Sequence, residues 1–163
     1  MLRAESDSEG RARVAGADDI EVLSGLATDL HRALRSERGG LAHLALYGRK
    51  EPLAESFATD TSDPGVLVVS GTVARMVLGY AVCRLTETRE HTLVAVIEEI
   101  YTDPDARRVG VGEAMLDLIT EWATERGATG IDAIALPGMR DTKNFFERFG
   151  LTARAITVHK KLT

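Results

Sequence analysis

The chain has 163 residues, of which 44% are apolar, a net charge of −5 and a sequence pI near 5.4. That length fits one domain able to bury about 68–70% of its unfolded surface without a disulfide or metal staple, and the acidic balance argues against nucleic acid or an anionic membrane surface as the main partner. Cys83 is the one cysteine, which excludes an internal disulfide and suits a cytoplasmic protein; no run approaches the roughly 18 apolar residues of a membrane helix, the start MLRAESDSEGR lacks the apolar segment of a secretory signal, and the scattered histidines have no metal-ligand spacing.

Residues 1–12 read as a flexible N-terminal tail before a single domain over 13–163. Arg13 to Gly16 predicts a short strand. Asp18 then precedes apolar residues at Ile20, Leu23, Leu26, Ala27, Leu30 and Leu34, the spacing of a helix, and Asp18 with Glu21 has the form of a capping box. Gly39-Gly40 ends that helix. A weaker helical stretch covers about 41–58 and contains Tyr47; the turn-rich TDTSDPG, 59–65, follows it.

The period changes after residue 65. VLVVS (66–70) and VARMVLGYAVCRL (73–85) predict a hairpin, and TLVAVIEEIYT (92–102) predicts a third strand. The loop DPDARRVGVGEAML (103–116) leads into Val111, Met115, Leu118, Ile119 and Trp122 at helical spacing, closed by Gly127. GIDAIALPG (130–138) predicts a strand, DTKNFFERFG (141–150) a short helix, and LTARAITVHKKL (151–162) a last strand. Strand 92–102, helix 111–126 and strand 130–136 make a βαβ unit with parallel strands and a right-handed crossover. The hairpin before it makes the sheet mixed. The fold class is therefore α/β, a central mixed β-sheet flanked by helices.

The helix entrance at 107–113 is chemically informative. A helix N-terminus carries unpaired N–H groups and the positive end of the dipole. Gly110 and Gly112 clear side chains from it, and Arg107 and Arg108 add charge. Together these suit a phosphate or pyrophosphate; a plain strand-to-helix turn with solvated arginines is the alternative. A P-loop would need Gly-Lys-Ser/Thr entering the helix, and none is present. A dinucleotide fingerprint would put Gly or Ala where Met115 stands.

Arg107-Arg108-Val109-Gly110-Val111-Gly112 matches R-x-x-G-x-G, preceded by Ile97-Glu98-Glu99-Ile100-Tyr101-Thr102-Asp103-Pro104 and followed by Phe145-Phe146-Glu147-Arg148-Phe149-Gly150-Leu151. This pattern resembles the GNAT N-acetyltransferase superfamily. The resemblance implies the GNAT-like acyl-CoA N-acyltransferase fold, acetyl-CoA as co-substrate, no metal, and acetyl transfer to a small-molecule or peptide amine in a ternary complex; a non-catalytic acyl-CoA-binding or regulatory module of the same fold is the alternative, and a homodimer fits by analogy. It implies a pyrophosphate held by the main chain of Arg108, Val109, Gly110, Val111, Gly112 and Glu113 with support from Arg107. It places the pantetheine arm along Ile100, Tyr101 and Thr102, with Phe146 near it, and a slot where the strand near Ile134 to Leu136 splays away.

Glu98 and Glu99 interrupt an otherwise apolar strand, where ionised carboxylates are costly without partners. Neighbouring strand residues face opposite sides, so at most one need enter the slot. A primary amine, pKa about 10.4, must lose a proton before it attacks, and a glutamate whose pKa is raised by desolvation could take it. The resemblance points to Glu98, four residues before the Thr102 that stands at the family's V-x-P valine, with Glu99 second. Phe146 occupies the place of a frequent family tyrosine, and a phenyl ring cannot donate a proton; Tyr101 or a water would have to serve.

Overall fold

The structure, a computed structural model, describes residues 9–162. Among them, β1 (Arg11–Val14), β2 (Val66–Val73), β3 (Met76–Glu87), β4 (Leu93–Thr102) and β5 (Ala128–Ala133) form one sheet in that order. The first four are antiparallel and β5 runs parallel to β4. Helices α1 (Ile20–Arg35), α2 (Gly40–Tyr47) and α3 (Leu53–Ser62) precede β2; α4 (Val111–Glu125) is the crossover from β4 to β5, and α5 (Arg140–Arg148) follows. The mixed sheet flanked by helices is thus as the sequence predicts.

Strand alternation divides the apolar residues between two cores. Leu67, Val69, Ala81, Cys83, Ala95 and Ile97 face Val111, Met115, Leu116, Ile119 and Ala123 of α4 and Phe146 of α5. Val66, Val68, Tyr80 and Val82 face Leu23, Leu26, Ala27, Leu30 and Leu34 of α1 and Leu53 and Phe57 of α3. The opposed glycines Gly71 and Gly79 seat the N-terminal turn of α4 close to the sheet. A Cβ on Gly71 would lie 2.6 Å from Val111 Cγ1 and 2.8 Å from Met115 Sδ.

Several expectations are corrected. The single helix over 41–58 is two helices: Gly48 still donates its N–H to Leu44 O at 2.9 Å but turns to φ −59° and ψ 146°, out of the helical conformation, and Pro52 lacks the N–H that would continue a helix. The capping acid before α1 is Asp19: its carboxylate accepts from the Gly16 N–H at 2.8 Å and from both terminal nitrogens of Arg13 at 2.6 and 2.7 Å. β1 begins at Arg11, so the flexible tail expected over 1–12 does not extend through residues 11–12, and its first eight residues lie outside those described. The last strand over 151–162 is absent. Those residues adopt no regular structure, and Ile156 and Val158 are 87% and 90% exposed. The segment has strand periodicity but pairs with no strand among the described residues; Leu151 packs against the α4 core and Arg154 pairs with Asp132 of β5.

Candidate active site

The entrance to α4 has the geometry that the glycines demand. Gly110 sits at φ +90° and caps the helix. The first helical bond runs from Ala114 N–H to Gly110 O at 2.9 Å, so the amides of Val111, Gly112 and Glu113 precede the ladder and point along the helix axis. A Cβ on Gly112 would meet the Phe145 ring at 3.2 Å, with Thr102 Oγ1 at 3.9 Å. Arg107 Nε donates to Thr102 O at 3.3 Å, and Arg108 holds a left-handed φ of 71° on the exposed side of the turn. Glu113, a carboxylate that would repel a phosphate, turns toward Arg148 of α5, 3.8 Å away. Gly10 closes the turn from the other side: its N–H donates to Val109 O at 2.7 Å, and a Cβ there would lie 2.3 Å from Val111 N. A diphosphate fits this donor set, as free amides at a helix N-terminus favour an anion.

Beside this turn the sheet opens. β4 and β5 pair only as far as Ile97 with Ala133, while β4 continues along β3 to Thr102 opposite Gly79. Beyond Ile97 one edge of β4 therefore faces a slot. Its walls are Ile97 to Ile100 of β4, Ile134 and Leu136 past β5, Met139, Thr142 and Phe146 at α5, and Leu30, Leu34, His43, Leu44 and Tyr47 from α1 and α2. Ile100 packs toward the α4 core and Tyr101 toward the α1 core. Phe146 is buried against α4 and also lines the slot.

Glu98 and Glu99 do not divide between the two faces. Cys83 stands opposite Ile97 and Val82 opposite Glu99, so Glu98 is the extra residue of a β-bulge. The bulge resets the alternation and brings both carboxylates into one charged chain. Glu98 accepts from Arg84 Nε at 2.8 Å, and Asp60 accepts from Arg84 Nη2 at 2.8 Å and Arg49 Nη1 at 2.7 Å. Glu99 accepts from Arg49 Nε at 2.8 Å and pairs with His31 Nε2 at 3.0 Å. Glu98 is the outer end of this chain, about one-third exposed, and Glu99 the buried end at 8%. Burial pushes the Glu99 pKa up, but the His31 hydrogen bond and the Arg49 charge more than offset it and hold the carboxyl below its ordinary value. The upward shift expected of a slot glutamate is therefore reversed at Glu99, because its carboxylate is already partnered.

The contacts of three residues of the site lay beyond sequence reasoning. Arg49, which lies where the family resemblance places the acceptor pocket and reads equally as plain surface, is 4% exposed, bonds Ser56 Oγ at 2.9 Å as well as the two acids, and stacks 4.2 Å from the Phe57 ring centre. His43 lines the slot with its ring 5.5 Å from that of Tyr47. Burial, with His31 adding to it and Glu99 opposing, lowers the His43 pKa. The hydroxyl of Tyr80 is buried beneath this cluster with no hydrogen-bond partner among the described residues. An isolated histidine in a short apolar helix gives no sequence signal of its own. Cys83 is packed in the α4 core with its thiol pushed up to about 12 by burial, which leaves it inert as a nucleophile. Among the described residues no group of His, Cys, Asp or Glu is arranged to hold a metal ion, and no helix is long and apolar enough to cross a membrane.

The sequence matches the acetyltransferase (GNAT) family over residues 28–151. No curated protein matches it, whereas many solved structures share its fold. A ribosomal-protein-alanine N-acetyltransferase from Brucella melitensis biovar Abortus 2308 superposes with a TM-score of 0.70 at 15% identity, covering 94% of this chain and 99% of that one. An aminoglycoside acetyltransferase from an uncultured soil metagenomic sample, in complex with sisomicin, gives 0.72 at 16% identity over 98% and 99%. A transcriptional regulator from Bacillus halodurans C-125 gives 0.71 at 19% identity over 94% and 100%. At these identities the structural likeness speaks for the fold.

Proposed function

Since the chain belongs to the acetyltransferase (GNAT) family, we propose that it transfers the acetyl group of acetyl-CoA to a primary amine by direct attack in a ternary complex. The observation that carries this reading is the adjacency of two features: the glycine-cleared N-terminus of α4 and the slot where β5 leaves β4 after Ile97. The amides from Arg108 to Glu113 would hold the diphosphate, with Arg107 and Arg108 adding charge, and the β4 edge at Ile100, Tyr101 and Thr102 would receive the pantetheine arm beside Phe146. Acetyl-CoA supplies an activated thioester there.

The chain's own groups would do the rest. The amine arrives as an ammonium, and Glu99, kept ionised by His31 and Arg49, attracts it into the slot. Neutral His43 takes the ammonium proton; its lowered pKa weakens it as a base but keeps the imidazole in the unprotonated, accepting form. The nitrogen–carbon bond then forms as the carbon–sulfur bond breaks, and the acylated nitrogen gives up its second proton through water to the Tyr101 oxygen, replacing the one that Tyr101 donates to sulfur. A main-chain N–H near Tyr101 or Thr102 would stabilise the charge growing on the carbonyl oxygen. Tyr101, on the slot strand with its hydroxyl kept protonated by burial, would donate to the departing sulfur in place of the tyrosine that Phe146 replaces. Glu98, bonded to Arg84, extends the charged chain outward. Cytoplasmic action agrees with the unpaired Cys83.

The test is acceptor-dependent release of free thiol from acetyl-CoA over a chemically diverse amine library. Release that requires both acetyl-CoA and one class of amine supports the reading. Tight coenzyme binding with no acceptor-dependent release across the library would make the protein a binding module instead.

A further inference from the structure

The slot also carries information about its second substrate. Helix α2, Gly-Leu-Ala-His-Leu-Ala-Leu-Tyr, is apolar on nearly every side. A helix of that kind is normally buried, yet Leu41, Leu46 and Tyr47 are 65%, 71% and 62% exposed. The same helix forms one wall of the slot through His43, Leu44 and Tyr47, and the opposite rim carries Ile134, 53% exposed. The slot thus carries exposed hydrocarbon at Tyr47 on α2 and at Ile134 past β5.

Its charge is equally specific. Among the residues lining the slot only Glu98 and Glu99 are acidic, and both are already partnered: Glu98 by the Arg84 guanidinium, Glu99 by the Arg49 guanidinium and a hydrogen bond with His31. Asp60, the acid between the two arginines, is spent on both. Deeper in, the slot is walled by Leu30, Leu34, Leu44, Leu136, Met139 and Phe146, and further ammonium groups of a polycation set against these side chains would be desolvated at a cost in free energy without return. A single ammonium needs only one of the lone pairs that the Glu99 carboxylate keeps beyond its bonds to Arg49 and His31, and an apolar body along the slot wall meets no such cost.

We infer that the acceptor is a monoamine on an apolar body, an alkylamine or arylalkylamine, with its amino group at Glu99 and its hydrocarbon between Tyr47 of α2 and Ile134. This rests on the proposed acetyl transfer. The test uses the full chain with acetyl-CoA and measures kcat/KM by thiol release for propylamine through hexylamine and phenethylamine, against putrescine, spermidine and an aminoglycoside. The expected result is a rise of about three- to fourfold per added methylene, the fold-change that burying a CH2 implies, with phenethylamine at least tenfold above putrescine. The variant Tyr47→Ser, at a position exposed enough to leave the fold intact, should flatten the dependence on chain length while acetyl-CoA affinity stays unchanged. A polyamine or aminoglycoside as the best acceptor, or no dependence on chain length, overturns the inference and leaves acetyl transfer standing. Binding of acetyl-CoA with no amine of any class turned over removes acetyl transfer and this inference together.

Discussion

Arg49 and Glu99 meet in a buried ion pair, Nε to Oε2 at 2.8 Å, with side chains only 4% and 8% exposed. The pair ties the loop after α2 to the bulged strand β4, and the other arm of the same guanidinium reaches Asp60 of α3. Removing it would strand two buried carboxylates. Arg49→Leu is expected to destabilise the protein by about 3–5 kcal/mol, the usual cost of breaking a buried pair from one side. Arg49→Lys should lose less, since it keeps charge but not the fork. Urea denaturation midpoints measure both; a leucine variant as stable as the parent would contradict the assignment.

The two glutamates are separable by mutation. Glu99→Gln removes the charge that draws the ammonium inward and should lower kcat/KM at least tenfold, leaving acetyl-CoA affinity nearly intact. Glu98→Gln, at the exposed end of the chain beside Arg84, should lower it less than about threefold, in line with the small worth of a solvent-screened pair. Steady-state kinetics of both variants decide the matter, and the reverse ranking would return the base role to Glu98.

His43 sets the expected pH dependence. Its lowered pKa means that the imidazole stays neutral down to a pH below the ordinary histidine value of about 6.5. Activity limited by that group should therefore be sustained through pH 6.5 and fall as the pH drops through the lowered value. In His43→Gln the residual rate should be smaller and this acid limb should vanish. A pH–rate profile of kcat/KM for the two proteins tests this; an unchanged limb in the variant would assign it to another group.

Gly10 gives a prediction that the sequence pattern would not. Its missing side chain lets the main chain lie against the α4 entrance, and a Cβ would come within 2.3 Å of Val111 N and 2.5 Å of Gly110 C. Both are backbone atoms that cannot rotate aside. Gly10→Ala should therefore displace the turn and weaken acetyl-CoA binding about tenfold or more, read by calorimetric titration, because donors so placed tolerate little misplacement. Full affinity in the variant would show that the turn is indifferent to this contact.

These residues also mark where the sequence is informative. The α4 entrance is legible because its causes are local: two glycines, a left-handed cap and a helix pattern lie within a few positions. The glutamates on β4 are visible as charges in an apolar strand, but their common destination is not, since the bulge at Glu98 is defined by the register against Val82 and Cys83. Arg49 is opaque for the same reason: its burial depends on acids from α3 and β4 that only the folded chain assembles. Residues 151–162 fail in the other direction. Alternation around Ile156 and Val158 is a local property, whereas a strand needs a partner, and the sheet ends at β5.

The central claim is that main-chain amides between Arg108 and Glu113 converge on a diphosphate. A crystal structure of the protein with coenzyme A measures it directly. The account predicts diphosphate oxygens about 2.7–3.2 Å from several of those nitrogens, with the pantetheine arm along the β4 edge from Ile100 to Thr102. Coenzyme A bound elsewhere, with the turn at Gly110 and Gly112 making no contact to phosphate, would contradict it.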